Sequence, residues 1–425
     1  MYLKLLFSLI SLCLVTNLAV AQQSELPSGE PVTVGMRYKI SSEILGEDRE
    51  ILVALPVGYE SAQIKYPVVY LTEGQWYFAY TADMMTRLAS RSAMPPSILV
   101  ATKMANPGRF RWLEAGTPQA DQYLDFVEHD VISFIENNFR TSRHRTLMGW
   151  EYGGGFTIHA LQMRPYLFDA FIASSPFPVH EQALKLEALK DLSEKEPETK
   201  KFLYFGGAEV EGMVRDGIDR LALHLQATAP DALEWQHRIF AGSNMVVDHT
   251  TTAYPVFLAG LGTYYGDYRP YRPENIAAFV ADGGVAHAKS YYAKRSQRYG
   301  SEDAIDSLSV WWLLRKAMEE DDLPIFEEIM AAADVFAKPW NPNWYARYAN
   351  FLMEKGKEKA GLAMYERTVA IYPESLRAIA GLAGAYNKVG QNDAAKVSYR
   401  KAVSLAEEQG SGSLADLKAT LQSLQ

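Results

Sequence analysis

The stretch Gly149-Trp150-Glu151-Tyr152-Gly153 sets small residues two positions either side of a carboxylate. An apolar run ends at Met148 and a helix-like run spans Phe156 to Met163, which predicts a sharp strand-to-helix turn between them. A reactive residue on such a turn is held in a strained backbone conformation that draws its neighbours close, so the pattern G-x-nucleophile-x-G needs glycine at both flanks. Serine ordinarily fills the centre of that pattern; here it is Glu151. A carboxylate attacking an ester would form an anhydride, less stable than the ester itself, so acyl transfer through Glu151 runs uphill. Displacement at saturated carbon suits a carboxylate better. Glu is one methylene longer than Asp, however, and overshoots the attack position by about 1 Å, a misplacement that can cost ~100-fold. The helix N-terminus beside Glu151 favours its ionised form, which would repel a developing oxyanion or fill the space meant for one.

The elements that must hold this turn precede and follow it. Tyr38 to Ser42, Arg49 to Pro56 and Tyr66 to Leu71 read as strands, the last continuously apolar and therefore buried on both faces of a sheet. Ser97 to Thr102 is a further strand after a helical stretch from Tyr80 to Ser90, and a helix from Tyr123 to Asn138 precedes the strand that enters the turn. Alternating strands and helices imply an α/β fold, an open and mostly parallel sheet with helices on both faces.

Several of these segments carry a family resemblance. Leu52-Val-Ala-Leu-Pro-Val-Gly-Tyr59, Tyr66-Pro-Val-Val-Tyr-Leu-Thr-Glu-Gly74, Asn106-Pro-Gly-Arg-Phe-Arg111 with Thr117-Pro118, Phe126 to Ile135 followed by Arg140-Thr141, and Ala173-Ser-Ser-Pro176 resemble the esterase branch of the α/β-hydrolases. That branch includes siderophore, feruloyl and S-formylglutathione esterases, and the resemblance runs to about Leu261. It implies an α/β-hydrolase fold and a nucleophile, an acid and a histidine in that chain order. His249-Thr250-Thr251 with Gly260-Leu261 matches the histidine segment, so His249 is the counterpart of the catalytic histidine. The acid is expected after the strand Lys201 to Phe205, where Glu209 is the first candidate and Glu211 the second. Solvated loop carboxylates and a plain loop histidine are the competing readings. The oxyanion hole would use the backbone N–H of Tyr152 and that of Gln75, in Glu73-Gly74-Gln75-Trp76, where the family has an Asp-Gly pair.

Composition narrows the setting. Met1 to Ala21 carries an early Lys4, an apolar core from Leu5 to Val15 and the small-residue ending Ala19-Val20-Ala21, a pattern expected of a cleaved signal peptide. Export to the periplasm or the medium follows as an expectation, with no membrane span left after cleavage. The only cysteine, Cys13, falls in this segment, which excludes disulfides, cysteine catalysis and cysteine-ligated metal in the mature chain. His129, His144 and His159 have no partner at metal-ligand spacing, and nothing in the sequence calls for a metal or cofactor. A net charge of −9 without long charge runs argues against nucleic acid or anionic membrane as a partner.

After Leu261 an aromatic bridge, Gly262 to Pro273, leads to a stretch that is helical by pattern to the end. Gly356 and Gly390, Ala360 and Ala394, Tyr365 and Tyr399, Val369 and Val403, Ala349 and Ala383, and Pro339 and Pro373 recur at a period of about 34, the tetratricopeptide spacing. Asp322 stands where the glycine of a preceding, degenerate repeat would be. The expected organisation is a signal peptide at 1–21, an α/β-hydrolase domain at 22–272 and a helical region at 273–425 with repeats at 307–338, 341–373 and 375–408. The expected function is that of an exported esterase-family hydrolase, weakened or inactivated by Glu151, that binds an ester-like small molecule. An active hydrolase using His249 with water, or Glu151 as nucleophile, is the alternative. A further one is a scaffold whose repeats bind a protein or peptide.

Overall fold

The computed structural model describes residues 29–104, 108–178, 186–196, 198–241, 247–336 and 341–424; the signal-peptide reading falls outside them. Eight strands form one sheet: β1 (Met36–Ser42), β2 (Glu47–Ala54), β3 (Tyr66–Leu71), β4 (Ile98–Thr102), β5 (Thr141–Trp150), β6 (Ala170–Ser174), β7 (Lys201–Ala208) and β8 (Leu233–Phe240). Their order across the sheet is β1-β2-β4-β3-β5-β6-β7-β8. β1, β2 and β4 pair antiparallel and every later pairing is parallel. β3, β4, β6 and β7 are buried along their whole length, as unbroken apolar runs between two helical layers must be.

One sheet face packs against the helices Pro118–Phe126, Tyr152–Met163 and Met213–Thr228 through residues such as Phe126, Phe156 and Leu221. The other packs against Gly74–Ser90 and Ala253–Tyr264 through Phe78, Met85, Phe257 and Leu261. The first of these latter helices starts six residues before the expected Tyr80. Its N-cap is Glu73 at φ 58°, and a Cβ on Gly74 would lie 2.5 Å from that of Ala101, so the helix enters against β4 where only glycine fits. The helix expected from Tyr123 starts instead at Pro118, capped by the Thr117 hydroxyl accepting from Ala120 N–H, and carries a π-helical turn over Val127–Ile132.

The C-terminal part is helical. Pro342–Glu354 and Glu358–Ile371 form one antiparallel pair, and Leu376–Lys388 with Asn392–Glu408 repeats it. Gly356 at φ 75° and Gly390 at φ 78° make the two inter-helix turns. In the preceding pair, Ser307–Glu319 and Leu323–Ala332, the left-handed turn residue is Asp321 at φ 60°, not Asp322. Asp322 caps the second helix instead, accepting from Ile325 N–H. Helix Gly284–Tyr299 links the two parts: Tyr299, 1% exposed, closes the second face of the sheet against Tyr265 and Tyr268. Among the described residues no helix is long and apolar enough to cross a membrane.

Candidate functional site

β5 delivers Trp150 to the C-terminal edge of the sheet, and the helix Tyr152–Met163 departs one residue later. Glu151, between them, has φ 51° and ψ −113°, a backbone conformation that non-glycine residues rarely adopt. Three backbone hydrogen bonds hold it there: its N–H donates to Ser174 O at 2.9 Å, and its carbonyl accepts from Gly155 N–H at 2.9 Å and Phe177 N–H at 3.0 Å. The flanking glycines answer to real atoms. A Cβ on Gly149 would stand 2.1 Å from Gly153 O, and one on Gly153 would stand 2.2 Å from Thr72 Oγ1 and 2.9 Å from Glu73 Oε2.

His249 follows β8 and precedes the helix Ala253–Tyr264. Its loop is tied internally by the Asp248 carboxylate, which accepts from the N–H groups of Thr250 and Thr251. Two donors fix the His249 carbonyl oxygen, the Trp150 indole N–H at 2.7 Å and the Thr252 hydroxyl at 3.0 Å. Thr252 in turn shares a 2.7 Å hydrogen bond with Ser175. The imidazole sits 4.9 Å from the Trp150 ring. Its Nδ1 is 2.7 Å from Glu211 Oε1 and its Nε2 is 3.5 Å from Glu151 Oε1.

Of the two acid candidates, the loop after β7 turns Glu211 inward and leaves Glu209 outside. The Glu209 N–H donates to Phe240 O at 3.1 Å, extending the β7–β8 ladder, and its side chain is exposed. The Glu211 side chain is fully buried, and its second oxygen accepts from Ala208 N–H. The first-named acid candidate is thus the one that does not reach His249, because the strand pairing carries on through its backbone.

Hydrogen bonding to Glu151 and then to Glu211 pushes the His249 pKa up to about 9, against a smaller opposing effect of burial. At neutral pH the ring is an imidazolium between two carboxyl groups. It has no lone pair at Nε2 with which to take a proton, the task a general base must perform.

Tyr152 and Gln75 lie in the first turns of their helices, where the helix itself supplies no acceptor for the backbone N–H. The Gln75 side chain is used elsewhere, its Oε1 accepting from Met104 N–H at 3.0 Å. Aromatic rings line both sides of the elbow: Trp76 packs edge-on to Trp150, while Phe110 and Phe177 pack edge-on to Tyr152. Sequence reasoning passed over Trp150, Thr72 and Ser175 as parts of the site. Each left a signal: Trp150 stands between Gly149 and Glu151, and Thr72 and Ser175 fall within segments that carry the family resemblance.

A family model described as Putative esterase matches residues 42–259. The siderophore triacetylfusarinine C esterase of Aspergillus fumigatus is 30% identical over 151 residues, spanning 31% of this chain and 52% of that protein. The siderophore enterobactin esterase of Emericella nidulans is 43% identical over 60 residues, spanning 13% of this chain and 20% of that protein. The chain therefore spans about half the length of the first of these relatives and a fifth of the second. Among solved structures, an IroE-like serine hydrolase from Shewanella oneidensis aligns with a TM-score of 0.54 at 22% identity, covering 71% of this chain and all of that one. An uncharacterised protein from Capnocytophaga ochracea aligns with a TM-score of 0.54 at 14% identity, covering 90% of this chain and 99% of that one. At such identities the likeness to these structures is one of fold.

Proposed function

Because this chain belongs to the esterase family whose model spans residues 42–259, we propose that it is an α/β-hydrolase whose acyl-transfer chemistry is lost or severely weakened and whose cleft binds an ester-like small molecule. The observation that carries this reading is the line Glu151–His249–Glu211, with His249 held as a cation by the carboxyl groups on either side of it. In the serine arrangement a neutral hydroxyl donates its proton to a neutral imidazole. Here no hydroxyl stands opposite the imidazole, and the ring that would accept a proton is already charged. Siderophore esters are the ligand class suggested by the names of the curated relatives.

The supporting roles are proposals of the same standing. Glu211 acts as the acid that orients His249, and the backbone N–H groups of Tyr152 and Gln75 form the oxyanion hole. The paired helices from residue 307 onward are read as tetratricopeptide repeats, supported by their recurrence and by the turn glycines Gly356 and Gly390. Export rests on the signal-like segment alone.

The test is hydrolysis of p-nitrophenyl acetate by purified protein lacking residues 1–21. The expected result is no turnover above that of Glu151→Ala and His249→Ala. A rate that both substitutions abolish would overturn the reading and favour the active hydrolase.

A further inference from the structure

A cavity of about 300 Å³ lies far from the elbow. Lys65 and Pro67, where the chain enters β3, and Pro95 and Pro96, just before β4, form its hydrolase wall. Glu151 follows the last residue of β5, which runs parallel to β3, so the cavity and the elbow sit at opposite ends of the strands. The facing wall comes from the helical part: Trp311 presents surface to the cavity, and Tyr299, Tyr345 and Tyr348, 1–2% exposed, back it. A predominantly apolar and aromatic cavity where two parts of a chain meet is the usual setting of a small-molecule site.

The charged side chains of the lining are already engaged with the protein. The Arg295 guanidinium lies between the rings of Tyr268 and Tyr292 at 4.4 and 4.3 Å and donates to Tyr268 O at 3.2 Å. Asp306 accepts from Leu308 N–H at 2.9 Å and from the Ser92 hydroxyl at 3.1 Å. Asp334 accepts from Phe336 N–H at 3.0 Å and pairs with Arg367 at 3.2 Å. Lys65 and Glu302 stand at the exposed rim. A ligand with a charge of its own would lose its hydration and meet, inside, an Arg295 and an Asp306 already paired with each other at 3.8 Å, with Arg295 Nε alone among their buried polar atoms left without a hydrogen-bond partner. Size is set by volume: an apolar cavity of about 150 Å³ admits benzene, so twice that admits about two fused rings.

We propose that this cavity binds an uncharged, flat molecule of about two fused rings, held by ring-on-ring contact with Trp311 between the apolar side chains of the two walls. The site is independent of the elbow and of any chemistry there. Because one wall is hydrolase and the other is the helical part, an occupant holds the two together.

The experiment is a titration of the chain lacking residues 1–21 with prodan, a neutral naphthalene whose emission shifts to the blue in apolar surroundings. The expected result is saturable binding of one molecule per chain, with a rise in melting temperature. Ala89→Trp and Ala304→Trp, which fill the cavity from opposite walls, abolish it, whereas Trp76→Ala and Glu151→Ala leave it unchanged. The anion 2-naphthoate binds at least tenfold more weakly than 2-naphthol in the same assay. If Ala89→Trp fails to fold, Ala304→Trp, on an exposed loop, decides alone. Absence of saturable binding overturns the proposal, as does binding that survives Ala304→Trp or disappears with Trp76→Ala. Equal affinity for naphthoate and naphthol overturns the uncharged class.

Discussion

The Trp150 indole N–H donates to the backbone carbonyl of His249 at 2.7 Å, so the last residue of β5 holds the loop whose ring faces the very next residue, Glu151. One strand end thus positions both partners of the central ion pair. Trp150→Phe removes the donor and also part of the buried ring that packs on Trp76 and Tyr77. The lost hydrogen bond and the void together are expected to cost about 2–3 kcal/mol, lowering the melting temperature by roughly 4–12 °C for a domain of this size. Calorimetry checks the first effect, and ¹⁵N NMR of the imidazole checks whether the His249 pKa falls from about 9 as its loop loosens.

Glu151→Ser is expected to create esterase activity. It places a hydroxyl opposite Nε2 and removes the largest influence raising the His249 pKa, so that the ring becomes available as a base near neutrality. Turnover of p-nitrophenyl acetate should then exceed the water rate by ~10³-fold or more, the level that binding and an oxyanion hole supply by themselves. A well-folded but inert variant means that the rest of the machinery has decayed as well.

A pH dependence follows from His249. Its folded pKa, about 9, lies above the ordinary value of 6.5, so the ion pairs contribute fully below about pH 6.5 and their contribution is lost as pH rises through 9. The side chain is 37% exposed, and solvent screening reduces the effect to a modest slope. The melting temperature of wild type should fall between pH 7 and 9.5 more steeply than that of Glu151→Gln, measured in parallel so that other titrating groups cancel. Identical slopes would falsify the assignment.

Gly153→Ala is expected to prevent folding or cost more than about 4 kcal/mol. Its Cβ would meet Thr72 Oγ1 and Glu73 Oε2, the former held between β3 and β5 and the latter on a fully buried side chain. Soluble expression and urea unfolding report the outcome; a loss below about 1 kcal/mol means that the elbow is looser than its contacts imply.

Truncation tests the joint between the two parts. A chain ending at residue 272 lacks Tyr299 and uncovers Tyr265, which is fully buried in the whole protein. It should melt lower and aggregate more readily than a chain ending at residue 304, which retains the helix Gly284–Tyr299. Equal melting temperatures count against that contact as a source of stability.

The sheet and the elbow were legible because each leaves a local pattern, unbroken apolar runs and glycines at fixed spacing, whereas His249 was reached through the family resemblance of His249-Thr250-Thr251 with Gly260-Leu261. The choice between Glu209 and Glu211 was not legible, since it depends on how far the β7–β8 ladder extends before the chain turns inward. The early start of the helix Gly74–Ser90 was masked by Trp76, Tyr77 and Phe78, consecutive aromatics that hide the 3.6-residue period. Asp321 was passed over in favour of Asp322 because the turn lies one residue off the period of the later repeats, and aspartate adopts the left-handed turn almost silently.

Tyr299 also sets an order of events at the ribosome. The last strand of the sheet ends at Phe240 and its final covering helix at Tyr264, yet the aromatic layer over β5 and β7 stays incomplete until Tyr299 arrives. At ordinary elongation rates of roughly 5–20 residues per second, the intervening segment takes a few seconds to emerge. Over that interval Tyr265 and Tyr268 lack the ring that covers them in the finished protein, so the sheet's second face closes only once the first long helix of the tail has been made.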